Sequence, residues 1–523
     1  MKPSIALPPN HSSERFHALD ASRAFALLLG VIFHGAWFYT LQPTGTGVKD
    51  VSANHAFSWF FHASHTFRMQ LFFLIAGFFA RLVCERRGVR RFIQNRLIRI
   101  GVPLLIGWFI LFPALVMVWI WGKNLSGQNP VALPPFATVL GLFESGKIFV
   151  DRSNGGAFGF GHLWFLYYLL ILCAITLTGR TILLRTPLSR ESVLAQFDRF
   201  VRFLTASPAG ALVLALLLTP VIWSMTGWLG IDTPNQSQKP ALRVVVAYLA
   251  FFLLGWFVQR QSCHPGVLFR QWRFYLSAGL IASVGLYIFH NEFHSKHPDH
   301  PRHSLSYPEI EDWSAFQASL TADSAAAEAQ RQLWSAFHPR VKDYIETENT
   351  TFGQRMAILT AVNKELTNRE ALPLHLRGFG SGNLPDVRWY WSTKLAFSAL
   401  YSVVMVFLVY GCLGAFQAMC QGFSPIWRYL ADSSYWVYLL HLPLLPAIET
   451  LVFDWPVTAW IKLPTICVVS LAILYASYHY LVRSTFVGRF LNGRAYAFHW
   501  NPLHALKVNS PPNPTVKAIP SIR

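Results

Sequence analysis

Residues 23–34 read RAFALLLGVIFH: a guanidinium and an imidazole close off ten residues that carry no other polar side chain. On an α-helix, eleven steps bring the second side chain to within about 20° of the first and roughly 16 Å further along the axis. Arg23 and His34 therefore share a stripe without touching. The apolar run around them extends over 19–41, and a bilayer crossing needs roughly 20 such residues, so the stretch reads as a membrane span. Ionisable groups at that depth face a bundle interior or a wet cavity. Singly, each also fits a packing role, Arg23 beside Asp20 and His34 satisfied within a core, so the case for chemistry depends on their company.

The rest of the chain has the same character. Its 523 residues are 53% hydrophobic and only 13% charged, against about a quarter charged in soluble domains. Ten runs are long and apolar enough to span: 19–41, 58–82, 101–122, 162–184, 209–230, 241–259, 273–290, 391–417, 432–452 and 459–482. They lack the alternation of barrel strands, and backbone groups in lipid must be satisfied within each segment. The expected fold is an all-α polytopic membrane protein of about ten transmembrane helices with one extramembrane helical insertion. The first run is too long for a signal-peptide core and has no small-residue cleavage site, so it is expected to stay as the first span. Residues 1–290 hold seven spans, 291–388 the insertion, 389–485 three spans and 486–523 a Pro-rich tail.

The net charge of +19 is explained by position, not by nucleic acid. With the N-terminus inside, inner connections collect Arg86, Arg87, Arg90, Arg91, Arg96 and Arg99, then Arg180, Arg185, Arg190, Arg199 and Arg202, then Arg260, Arg270 and Arg273, and the tail from Arg483. The outer loops hold little beyond Lys49, Lys123, Lys147, Arg152 and Lys239. This asymmetry places both termini in the cytoplasm, beside anionic lipid. The six cysteines form no C-x-x-C pair and imply no disulfide framework.

The insertion is more acidic than basic in an otherwise basic chain, and stretches such as SAAAEAQRQLWSAF read as amphipathic helices. It follows the seventh span, which puts it outside, over a substrate cleft or as a plain solvated domain. Its first stretch offers His290, His294, His297, His300 and His303, but Pro298 and Pro301 keep a helix from aligning them. No metal is expected.

Three groups of residues keep Arg23 and His34 company. Arg96 and Arg99 share a helix face where the third span is expected to begin. A helix N-terminus with two guanidiniums favours phosphate, while a simple positive-inside anchor is the plainer reading. Together with Arg23 they form an expected phosphate clamp. At the other end the second span carries His62, His65, Arg68 and Gln70, the fourth opens on His162 and Trp164, and the ninth holds His441. These outline a polar chamber, with Arg68 the candidate oxyanion stabiliser. A clamp below, a histidine above it and a chamber beyond suit a long phosphate-headed thioester whose acyl group meets an acceptor hydroxyl at His34.

The strings LDASRAFALLLGVIFH, SHTFRMQLFFLIAGFF, RLIRIGVPLL, HLWFL and SYWVYLLHLPLL, in that order, resemble the motif blocks of the acyltransferase family 3 integral membrane proteins, most nearly the branch that succinylates periplasmic glucans. The resemblance implies His34 as catalytic base in an Arg-x10-His motif with Arg23, and Arg96 and Arg99 as contacts to the phosphates of acyl-CoA. It implies transfer from succinyl-CoA or acetyl-CoA to a carbohydrate, here a glucan, across a bacterial inner membrane. The insertion at 291–388 departs from that branch and leaves the acceptor open, with another surface polysaccharide or glycolipid as the alternative. A transporter is a second class of reading, although no paired interrupted helices point to one, and a non-catalytic assembly partner a third. Association with a second copy stays open.

Overall fold

A computed structural model describes residues 17–41, 48–127, 132–151, 156–185, 190–225, 230–261, 270–296, 387–492, 496–498 and 500. Among them the regular structure is helical throughout: α1 His17–Ala36, α2 His55–Arg96, α3 Val102–Leu125, α4 Pro135–Glu144, α5 Trp164–Arg185, α6 Arg190–Ala206, α7 Pro208–Trp223, α8 Leu242–Arg260, α9 Trp272–Lys296, α10 Val387–Met419, α11 Pro425–Val452, α12 Ala459–Ser477 and α13 Phe486–Asn492. Eight helical runs are long and apolar enough to cross a membrane, and a ninth if α6 and α7, bent by 106° about Ser207, form one span. One of the eight, His55–Leu125, has 71 residues and holds two expected spans, so each of the ten lies on a helix among the described residues. The chain is a polytopic, multi-pass helical membrane protein. Its outward faces carry Leu105, Ile106, Phe109, Leu216, Ile281 and Val468, all exposed, as lipid contact requires and water would penalise.

The stretch RRGVRRFIQNRLIRIGVPLL is not a loop. Gly88 adopts φ 77°, a left-handed conformation open to glycine at no steric cost, and helix continues on both sides of it. A π-turn, Leu97–Gly101, then leads into α3 without a break. The expected helix N-terminus at Arg96 and Arg99 is therefore absent, because their surroundings carry no stop signal, and the dipole argument for phosphate binding there falls away.

The insertion lies outside the described residues from 297 to 386, with the histidines at 297, 300 and 303. α9 runs on to Lys296. His290 is buried at 2% exposure, its ring 4.5 Å from that of His62. Among the described residues no three His, Cys, Asp or Glu side chains are grouped to hold a metal.

α2 and α8 meet backbone to backbone through two glycines. A Cβ on Gly77 would lie 1.9 Å from the Phe252 carbonyl oxygen, and one on Gly255 1.9 Å from that of Leu74. Small residues are what let membrane helices approach so closely. Gly255→Val is expected to force the pair apart and cost ~1–3 kcal/mol or more of stability, read as a lower unfolding temperature in detergent. An unchanged transition would contradict this packing.

Candidate active site

The Arg23-to-His34 stripe of α1 lies along α11. At one end Arg23 Nη2 donates to the Ala431 carbonyl at 3.0 Å; at the other the His34 and His441 rings are 5.1 Å apart. Ten residues of α11 thus run beside eleven of α1, in the same direction, so the two ends of the site are roughly 15 Å apart along the bundle.

At the Arg23 end, the guanidinium also faces Asp20 at 3.6 Å, while its Nε is buried without a partner. Arg99 joins α11 through its main chain: the Tyr435 hydroxyl donates to the Arg99 carbonyl at 2.7 Å. Four residues on, Pro103 has no N–H to offer that carbonyl, which leaves it open. Arg96, one turn earlier, rests its guanidinium 4.9 Å from the Phe92 ring centre, and its Nε is also buried and unpartnered. A groove of about 420 Å³ lined by Asn95, Ile98, Arg99, Phe486, Arg489 and Phe490 opens beside Arg99.

At the His34 end, the imidazoles of His34, His441 and His162 form a row, with ring centres 5.1 and 5.4 Å apart. His162 is held by α11. Its Nε2 lies 2.9 Å from the Leu439 carbonyl, which Pro443 leaves without its helical N–H partner, and the Tyr438 hydroxyl donates to the His162 carbonyl at 2.7 Å. His441 Nδ1 lies 2.7 Å from the Tyr438 carbonyl. A carbonyl only accepts, so these two nitrogens carry hydrogens, and in the neutral ring the other nitrogen keeps a lone pair. His34 Nδ1 and His162 Nδ1 are buried with no hydrogen-bond partner. Neither Nδ1 has a partner among the described residues, and a hydroxyl group entering the row would supply one.

Arg68, carried by α2, brings its guanidinium against α1 at Gly30, one turn below His34. Its Nη1 makes a long 3.4 Å contact to the Gly30 carbonyl, and its guanidinium sits 3.9 Å from the Phe33 ring centre. The lack of a Cβ at Gly30 leaves room for it, since one there would be 3.3 Å from Nη1. The side chain is 7% exposed, Nε is buried without a partner, and none of the described carboxylates pairs with it. A buried, uncompensated cation is costly by itself; an anion, permanent or formed during reaction, would relieve it.

Of the expected chamber, His65 lies 6.0 Å from Phe33, ring centre to ring centre, on the edge of the cluster. Trp164 stacks on Tyr248 at 5.7 Å, one ring further out. Gln70 points away, its amide 3.4 Å from the Met405 sulfur. Sequence reasoning passed over Arg428 and Arg483. Both are buried at the Arg23 end, at 7% and 2% exposure, but one precedes the expected ninth span and the other falls in what reads as a basic tail.

A membrane bundle with this histidine row and arginine end belongs to a recognisable class. A family model described as an acyltransferase domain, that of acyltransferase family 3, matches residues 16–318, more than half of the chain, and the chain belongs to that family. It is a membrane acyltransferase. Among curated proteins it is similar to glucans biosynthesis protein C of Shigella dysenteriae serotype 1 (strain Sd197) and of Escherichia coli (strain K12), 28% identical to each over 166 residues. Those alignments cover 31% of this chain and 38% of each relative, well under half of the relatives' length. No solved structure matches the chain.

Proposed function

We propose that the protein transfers an acyl group, succinyl in the first instance, from cytoplasmic acyl-CoA to hydroxyls of a periplasmic glucan. His34 is the base. Its imidazole takes the proton from the acceptor hydroxyl as that oxygen attacks the thioester carbonyl, and Arg68 meets the charge of the tetrahedral oxyanion. Collapse expels the thiolate, which takes the proton back from the imidazolium, leaving an ester and a thiol. His162 and His441, each with one nitrogen tied to a main-chain carbonyl, hold the row in place, and His65 and Trp164 line its approach. Arg23, Arg96 and Arg99 bind the donor's phosphates from the cytoplasmic side of the inner membrane, where both termini lie.

The observation that carries this reading is the buried, unpartnered Nδ1 of His34, set on one helix stripe with unpartnered guanidinium nitrogen at its far end. Succinyl is taken first because the sequence resembles the branch that succinylates periplasmic glucans. The glucan is supported by the similarity to glucans biosynthesis protein C.

The test is purified protein in detergent with succinyl-CoA or acetyl-CoA and a glucan, followed by mass measurement of the glucan. Succinyl esters appearing with thiol release support the proposal; thiol released without esters, or neither, would defeat it. Arg23→Gln is expected to raise KM for acyl-CoA about tenfold or more, the worth of a lost charged hydrogen bond, with a smaller change in kcat. An unchanged KM would remove Arg23 from the clamp.

A further inference from the structure

Two further guanidiniums lie at the Arg23 end of α11, and each keeps a buried nitrogen without a hydrogen-bond partner. Arg428 Nε donates to Asp432 Oδ2 at 2.9 Å, yet its Nη1 is buried with no partner. Arg483, just beyond α12, is 2% exposed, and its Nη1 is likewise buried and unpartnered. Among the described residues its guanidinium meets two rings, 4.4 Å from the centre of Tyr496 and 5.9 Å from that of Tyr429. Both arginines converge on Tyr496: the Arg428 Nη2 donates to its hydroxyl at 3.4 Å, and Arg483 lies over its face. That hydroxyl in turn donates to Asp432 Oδ2 at 2.5 Å. Arg428, Ala431 and Asp432 lie within one turn of α11, and Ala431 is where Arg23 docks. Three guanidiniums with unpartnered buried nitrogens thus lie about one helical turn, beside the carboxylates of Asp20 and Asp432 among the described residues.

We propose that Arg428 and Arg483 form, with Arg23, a second phosphate subsite for the acyl donor, carried by the last two spans and separate from Arg96 and Arg99. It rests on the acyl-transfer reading. A phosphate monoester or diphosphate oxygen matches the buried Nη1 atoms in charge and geometry. The same chemistry could come from an anionic lipid headgroup, and the experiment separates the two. Arg428 and Arg483 lie outside residues 16–318, in a part of the chain that the family match does not reach, whereas Arg23 lies within it.

The experiment uses the full-length protein in nanodiscs of phosphatidylcholine, with coenzyme A and adenosine 3′,5′-bisphosphate as probes. Arg483→Gln deprives no carboxylate of its partner, so its unfolding temperature without ligand is expected to equal or exceed the wild-type value. Its Kd for either probe is expected to rise at least tenfold, and its KM for acyl-CoA with it. Arg428→Lys, which keeps a charge beside Asp432, is expected to weaken binding in the same direction. If Arg483→Gln binds both probes like wild type while losing stabilisation by phosphatidylglycerol nanodiscs, the subsite is a lipid site and the proposal is overturned. If the variant only unfolds earlier, with Kd unchanged, the residue is structural and the proposal is equally overturned. In either case wild-type transfer stands; wild type that neither binds coenzyme A nor transfers would bring down the acyl-transfer reading itself.

Discussion

Replacing His34 with glutamine is expected to lower acyl transfer by about 10²–10⁴-fold, the range a positioned general base contributes. Glutamine keeps a polar side chain of similar reach between Phe33 and His441 but cannot accept a proton at neutral pH. The ring contributes one face to a row held elsewhere by main-chain carbonyls at His162 and His441. The fold should therefore survive, with an unfolding temperature within a few degrees of wild type. Rates are compared under saturating acyl-CoA and glucan. Transfer retained within threefold of wild type would mean that His34 is a packing histidine and that the base lies elsewhere.

Lys462→Met is expected to be the most destabilising single change among the described residues, by ~3–5 kcal/mol, the cost of leaving a buried charge alone. Lys462 and Asp50 form a 2.5 Å ion pair with side chains only 4% and 0% exposed. The same ammonium donates to the carbonyls of Val452 and Trp455 at 3.2 and 2.9 Å, which ties the end of α11 to α12. Asp50 in turn fixes the segment after α1, its N–H donating to the Phe38 carbonyl at 3.0 Å and its Oδ1 accepting from the Ser52 N–H at 2.8 Å. Beside them the Tyr39 hydroxyl donates to Glu449 Oε2 at 3.1 Å, so several groups at the His34 end depend on one lysine. Adding Asp50→Asn to Lys462→Met should recover part of the loss, because the orphaned charge goes with it. A double variant no more stable than the single one, in detergent unfolding, would show that the pair is not what holds the segment.

The helices and the spacing of Arg23 and His34 were legible in the sequence, because apolar length and the 3.6-residue period are local properties. That His441 and His162 join His34 was readable only as a tendency of polar groups to gather away from lipid. The prolines that make it specific, Pro443 opening the Leu439 carbonyl to His162 and Pro103 opening the Arg99 carbonyl to Tyr435, act through a partner helix that sequence alone does not supply. Lys462 reads as a stray charge in an apolar run and Asp50 as a loop residue; only the fold brings them together. The start of the third span is expected at Arg96 and Arg99, whereas nothing after Gly88 stops the helix, which runs through a π-turn into α3. Arg428 with Asp432 has the four-residue spacing of a helical ion pair, a signal available in the sequence, but Arg483 acquires meaning only from the ring of Tyr496 against it.

The central claim is that donor and acceptor reach one histidine from opposite ends of the α1–α11 wall. Vesicles carrying the protein in one orientation test it directly, with labelled succinyl-CoA supplied on the Arg23 side and glucan on the His34 side. Label should pass to glucan only in that arrangement, and only with His34 intact. Equal labelling with both substrates on the same side, from either face, would contradict the account.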